Sequence, residues 1–387
     1  MGPIEGITVI ELSDNQAGAI AGMLLSDYGA DVIRIEHPRQ DLIHQKPGYT
    51  VWNRGKQSMT LNIESQKGRT AFLRLLSTAD ILIETLEPPK MQKLGIDYDS
   101  LHDSYPELVY CSLTGYEIGG PDYGRPAYDG LIQARGGIMT GGNWIPGGFG
   151  SEQAGHRDGP KFMGFAAPSY SAAFFACLGV LTAIYVRGIT GRGQHVNSSL
   201  HASTMAMSRW GWAETPGPSP APARGLYGVW ECQDGQWLWT HTGARNSFDR
   251  FMDVFNFLEY KSSLTVPLVW SAELSRELRD RVSAAFKTKA RDEWMQLFDD
   301  ADCPNQPTLN PGEAFNDEQT QHIEMVMRVE DSAFGELQEV GLPIKFERTP
   351  GTPPSSAPTL GSNTEAILEN LGYGPRDVSD LKNEGVI

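Results

Sequence analysis

Several groups of residues could do chemistry by their type and spacing. Ser13, Asp14, Asn15, Gln16, Ala17 and Gly18 follow a β-branched run and open a segment of helical spacing. A strand-to-helix turn of this kind aims backbone N–H donors and a helix dipole at a phosphate. It lacks the GxGxxG pattern of a nicotinamide site, and Asp14 has the plainer use of capping the helix. Asp129 precedes Gly130, a pair common in turns, while Glu152 and Asp158 place two more carboxylates in a glycine-dense stretch from 136 to 160. Ser169 heads a long apolar run. A serine attacks only with a base beside it, and no carboxylate or histidine lies between Met163 and Arg187, so Ser169 reads as a helix N-cap. Trp210, Trp212, Tyr227 and Trp230 offer rings for a pocket or for packing. Cys111, Cys177, Cys232 and Cys303 are far apart with no CxxC pair, which predicts reduced thiols and no metal site.

These residues need elements to hold them. Ile7 to Leu12, Ala30 to Ile35, Asp80 to Glu84 and Leu108 to Leu113 read as buried strands, with helices over Gln16 to Leu25 and Gly68 to Leu76 between them. Gly29 is the expected stop of the first helix and Gly188 that of the long helix from Ser169 to Arg187. The alternation predicts an α/β fold with a doubly wound parallel sheet, whose ligand crevice lies at the carboxyl ends of its strands. Val196 to Leu200 reads as a further strand, and Pro216 to Pro222 as a stiff linker. Beyond it, Gln233-Asp234-Gly235 marks a hairpin, helices are expected at Phe248 to Phe255, Ser275 to Phe286 and Arg291 to Phe298, and a last helix at Thr364 to Leu371. The expected organisation is a large domain over 1–215, a smaller α+β domain over 216–330 and a C-terminal segment over 331–387 that returns to the large domain. With 387 residues and a formal charge of −16, a nucleic-acid partner is not expected. No stretch reaches the roughly 18 apolar residues that a membrane span needs, and the opening residues lack a leader pattern, so no membrane and a cytoplasmic location are expected.

A resemblance adds to this reading. Gly6 to Leu12, Gln16-Ala17-Gly18, Gly29 to Glu36, Asn53-Arg54-Gly55-Lys56, Ala79 to Glu84, Leu94-Gly95, Gly115-Tyr116, Tyr128-Asp129, Thr190-Gly191-Arg192-Gly193-Gln194 and Ala357 to Gly361, in this order, resemble the family III CoA-transferases of CaiB/BaiF type over nearly the whole chain. The resemblance implies two protomers interlocked as a dimer and a coenzyme A thioester as substrate. It implies CoA binding by Asn15, Gln16, Ala17, Arg39, Leu61, Lys90 and Lys93, with Arg54 and Lys56 as further cations and Glu87 as a repulsive neighbour. The family attacks the thioester with an aspartate, forming a mixed anhydride and free CoA thiolate. Counting back from Thr190 by the family's interval puts that position at Ser169. The racemase branch's His and Asp fall on Tyr128 and Pro168, and Asp129 matches a carboxylate near the reaction centre.

The implied role is therefore the non-nucleophilic subunit of a heteromeric CoA-transferase, similar to the subunit without nucleophile in benzylsuccinate CoA-transferase. Its partner would be a homologous chain carrying the Asp. The alternatives are a homodimeric enzyme acting on CoA thioesters through Asp129, Glu152 or Ser169, and a non-enzymatic CoA-thioester binder.

Overall fold

The computed structural model describes residues 2–39, 48–139, 162–207, 228–242, 247–263, 272–331, 333–351 and 355–387. Glu152, Asp158, Trp210, Trp212, Tyr227 and the proline linker lie outside the described residues. The chain divides into two compact units, one of 1–136, 163–207 and 318–387, the other of 137–162 and 208–317.

The first unit is built on a six-stranded sheet of order β3-β2-β1-β4-β5-β6. Its strands are β1 (Thr8–Leu12), β2 (Asp31–Glu36), β3 (Gln57–Thr60), β4 (Ile81–Glu84), β5 (Val109–Thr114) and β6 (His195–Ser199). All five pairings are parallel. The order reverses between β1 and β4, which opens a crevice there at the carboxyl ends. Side chains alternate between two apolar layers. Val9, Ile81, Ile83 and Val109 face α1 (Gln16–Asp27) and α7 (Ala167–Thr190), whereas Ile10, Leu12, Leu82 and Tyr110 face α3 (Gln66–Leu76), α4 (Pro88–Leu94), α14 (Thr364–Asn370) and α15 (Pro375–Asn383). The remaining helices of this unit are α2 (Tyr49–Asn53), α5 (Tyr98–Leu101), α6 (Asp129–Arg135), α8 (Leu200–Met207) and α13 (Glu318–His322).

Small residues let the first layer close. Ala172, Ala173 and Ala176 of α7 are fully buried against Ala17, Ile20 and Ala21 of α1. A side-chain carbon at Gly22 would lie 2.0 Å from Glu11 Oε2, and one at Gly18 would lie 2.5 Å from Ser13 Cβ. The α7 helix ends at Gly191, whose φ of +69° admits the left-handed cap, and not at Gly188, which continues the helix. By length and composition α7 is apolar enough to cross a membrane, which corrects the expectation that no such run exists. One third of its most apolar window is buried within this fold.

The edge strand β3 is covered by the returning tail. Asn363 Oδ1 accepts the Ser58 N–H at 3.0 Å, and Thr364 Oγ1 accepts that of Thr60 at 2.9 Å. Edge groups capped in this way are withdrawn from pairing with another chain. A two-stranded hairpin, β10 (Val326–Asp331) and β11 (Gly335–Val340), is tied to the sheet by Arg54, which bonds Asp27 at 2.7 Å and the Val340 carbonyl at 2.8 Å.

The second unit carries an antiparallel sheet of β7 (Gly228–Glu231), β8 (Trp237–Thr240) and β9 (Asn305–Pro307). Its hairpin turns at Gly235, φ +76°. Helices α9 (Ser247–Phe255), α10 (Ala272–Phe286) and α11 (Arg291–Asp300) accompany it, followed by α12 (Pro311–Asn316). Trp230 stacks on Phe286 at 5.3 Å and belongs to this unit's core, which settles its use as packing rather than a pocket wall.

Candidate functional site

The parallel sheet brings the expected binding residues to one edge, because each follows the carboxyl end of a strand. Asn15, Gln16 and Ala17 follow β1, Arg39 follows β2, Leu61 follows β3, and Lys90 and Lys93 stand on α4 after β4. At the crevice Asn15, not Asp14, is the helix cap. Its side chain accepts the Gly18 N–H at 3.1 Å. Asp14 is instead latched across the crevice: its N–H donates to Thr85 Oγ1 at 3.0 Å, and the Thr85 hydroxyl donates to Asp14 Oδ1 at 2.9 Å. Gln16 and Ala17 occupy the first turn, where an α-helix leaves N–H donors without intrahelical acceptors. The Ala17 methyl is fully buried, which leaves its backbone as the part that a ligand could meet.

Three of the expected residues are buried. Lys56 is enclosed in the fold, 2.7 Å from Glu11 Oε2 and donating to the Ala19 carbonyl at 2.8 Å. Burial lowers its ammonium to about 8 against the pull of Glu11. Arg54 is 3% exposed and engaged by Asp27 and Glu339. Leu61 is packed in the core with its N–H donated to the Glu36 carbonyl at 2.7 Å. The two cations are parts of the scaffold, and the Leu61 side chain is withdrawn from the crevice. Arg39, Lys90 and Lys93 are exposed. Lys90 pairs with Glu64 at 2.8 Å on the surface.

Around Lys56 the buried charges balance. Arg34 bonds Glu11, and its Nε donates to Glu36 Oε1 at 3.2 Å. Ser58 donates to Glu36 Oε2 at 2.6 Å. Burial opposes the Glu11 charge, but Lys56 and Arg34 outweigh it and hold the carboxyl below its ordinary value. Buried charge is tolerated where it is paired and hydrogen-bonded in this way.

The second centre lies where α6 meets α7. Ser169 is not the N-cap of α7; that place belongs to Ala166, which offers no side-chain bond. The cap comes from 40 residues upstream. Asp129 Oδ1 accepts the Ser169 N–H at 3.0 Å, and Asp129 Oδ2 accepts the Ser169 hydroxyl at 2.6 Å. Ser169 is 2% exposed. One turn further along α6, the fully buried Gln133 accepts the Met163 N–H at 3.0 Å and donates to the Phe165 carbonyl at 3.1 Å. Sequence reasoning passed over Gln133; its spacing of four from Asp129 puts both on one face of α6. Tyr128 is exposed and Pro168 buried, and neither is the histidine or aspartate that the racemase resemblance asks for there. Among the described residues no group of His, Cys, Asp and Glu is placed to hold a metal ion.

Residues 4–364 match the family described as CoA-transferase family III. The chain is 27% identical to an acyl-CoA transferase of Fusarium pseudograminearum, over all of this chain and 88% of that one. It is also 27% identical to the succinyl-CoA–L-malate CoA-transferase beta subunit of Chloroflexus aurantiacus, over all of this chain and 98% of the relative. The crystal structure of a CAIB/BAIF family protein from Brucella suis superposes with a TM-score of 0.79 at 25% identity, covering 96% of this chain and 99% of the other. A match of this extent, on a sheet of this order, places the chain in CoA-transferase family III.

Proposed function

We propose that this chain binds a CoA thioester at the β1–β4 crevice and is the non-nucleophilic subunit of a heteromeric enzyme moving CoA between carboxylic acids. The attacking aspartate comes from a homologous partner chain. One observation carries the reading: at the place the resemblance gives to the attacker stands Ser169, buried, with its hydroxyl held by Asp129. A carboxylate is ionised at neutral pH and leaves readily from an anhydride, whereas a hydroxyl attacks only when a base is free to take its proton. Asp129 is occupied by the α7 backbone as well as by the serine. The α1 terminus, by contrast, keeps the donors that suit a nucleotide phosphate.

A partner has a surface to meet. Phe174, Leu178, Leu181, Tyr185 and Ile189 form an exposed stripe along α7, each at least 40% exposed. Contiguous apolar surface on a protein of this kind marks an interaction face. That a relative is named as a beta subunit accords with a two-chain enzyme.

The test is CoA transfer from an acyl-CoA to a free carboxylate, followed by mass spectrometry of the CoA esters. The chain alone should be inactive, and co-expression with its homologue should restore transfer. Ser169→Asp should give the chain measurable transfer of its own. Transfer by the unaltered chain alone, at rates that Ser169→Ala leaves unchanged, overturns the reading.

A further inference from the structure

Glu84 ends β4 at the point where the strand order reverses, opposite Leu12 of β1 and Ser112 of β5. It is 3% exposed. Its Oε2 accepts the Leu86 N–H at 3.0 Å, and Ser112, its register partner on β5, favours the charge of the carboxylate. The Ser112 hydroxyl oxygen lies 2.9 Å from His195 Nε2. The His195 ring is fixed by stacking on Tyr98 at 4.7 Å and by the edge of Tyr110 at 5.5 Å. These three polar side chains join three adjacent strands in one line, and the reaction outlined above uses none of them.

We propose that Glu84, Ser112 and His195 form a proton-accepting relay under the crevice, which takes up a proton when an anionic ligand seats at the α1 terminus. The ligand half of this rests on the proposed CoA binding; the relay itself does not. With Glu84 ionised, the Ser112 O–H donates to the carboxylate and its oxygen accepts the His195 Nε2–H. With Glu84 neutral, every bond reverses: the carboxyl O–H donates to Ser112, the Ser112 O–H donates to Nε2, and the imidazole proton sits on Nδ1. One proton enters at Nδ1 and none is lost, so the chain gains one positive charge in net terms. Both states satisfy the same buried groups, as a buried polar network requires.

The surroundings favour the switch. Burial above all, with a smaller push from the Asp14 carboxylate, raises Glu84 to about 7 against the opposing Ser112 hydroxyl and Leu86 N–H. Tyr110 and Tyr123, and Cys111 on the opposite face of β5, are near enough to feel the Glu84 charge, and burial raises all three, keeping them neutral. Asp97 acts on Tyr110 and Tyr123. Burial lowers His195 in spite of Asp99 and so favours the neutral ring. Glu84 already responds to one negative charge on the β1–α1 loop. A phosphate at that loop adds another, and by reciprocity the ligand then binds more tightly as pH falls from 8 to 6.

Two measurements test this on the full chain. The first needs no ligand: ¹⁵N resonances of the His195 ring are followed from pH 8 to 6. Unaltered protein should pass from the Nε2–H to the Nδ1–H form near pH 7. Glu84→Gln should hold one form throughout, and Ser112→Ala should uncouple the ring from Glu84. A His195 signal that does not move, or that moves alike in Glu84→Gln, overturns the relay. Thermal melts check that both variants fold, and they carry a sign of their own. A carboxyl raised in the folded state stabilises it at low pH and loses that effect as pH rises through 7. The folding constant should therefore increase about tenfold from pH 8 to 6 in the unaltered chain and not in Glu84→Gln. The second measurement is calorimetry with coenzyme A in two buffers of different ionisation heat at pH 7.4. Binding should take up more protons in the unaltered chain than in Glu84→Gln; equal uptake overturns the coupling to ligand. No heat from any form, with the histidine response intact, rejects CoA binding and the ligand half while the relay stands.

Discussion

Two helices begin at the same edge of the sheet, and their first turns are used in opposite ways. The α1 terminus is capped locally by Asn15, which takes the Gly18 N–H and leaves the turn facing the crevice. The α7 terminus has no cap of its own and borrows Asp129 from α6, which takes both the N–H and the hydroxyl of Ser169. A helix N-terminus favours negative charge wherever that charge comes from. At α1 the cap is a neutral side chain of the same turn; at α7 the chain fills the place with its own carboxylate. Under the function proposed above, the contrast separates a terminus fitted for binding from one fitted for structure, within a family whose chemistry the resemblance puts at the second.

The comparison is broken most severely at Asp129. Asp129→Ala removes the α7 cap, worth about 1 kcal/mol, and leaves a buried hydroxyl and N–H unpaired at a further cost of about 1–3 kcal/mol. Chemical denaturation should show a total loss of about 2–4 kcal/mol, with Asp129→Asn recovering part of it through its amide oxygen. A loss below about 0.5 kcal/mol shows that Asp129 is not the cap and frees it for chemistry. The matching change at the other helix is smaller. Asn15→Ala should cost about 1 kcal/mol by the same measurement, since Asn15 is half-buried and its loss exposes the Gly18 N–H to water. If both substitutions cost the same, the two termini are alike and the contrast fails.

The sheet was legible in the sequence because its central strands are apolar runs buried on both faces, and β1, β2, β4 and β5 fall within a residue or two of their expected places. β3 was not legible. Gln57, Ser58, Met59 and Thr60 carry a single apolar side chain, and the strand exists through pairing with β2 and through the tail groups Asn363 and Thr364. The same limit hides both polar centres. Asp129 and Ser169 are visible as residues, but their bond spans 40 positions, and Glu84, Ser112 and His195 meet only once the strand order is known. Charge type alone misleads as well. Lys56 and Arg54 look like phosphate ligands until burial and partners show them holding Glu11, Asp27 and Glu339. A pattern of one residue type says what a side chain can do, and the neighbours across the sheet decide what it does.

The smallest effect sharpens the comparison at its ligand end. Lys90 pairs with Glu64 at 2.8 Å, but the two side chains are 45% and 60% exposed, and an exposed pair contributes about 0.5 kcal/mol or less. Lys90→Ala should therefore leave the unfolding midpoint nearly unchanged. Its use, if the α1 terminus holds a nucleotide, is electrostatic: coenzyme A affinity should fall several-fold at low salt, and the difference should shrink as salt rises and screens the charge. Glu64 competes for the same ammonium, so Glu64→Gln should shift affinity in the opposite direction. If Lys90→Ala lowers stability while affinity keeps its value at every salt concentration, Lys90 belongs with Lys56 and Arg54 among the cations that serve the fold, and the nucleotide is held by the helix terminus without it.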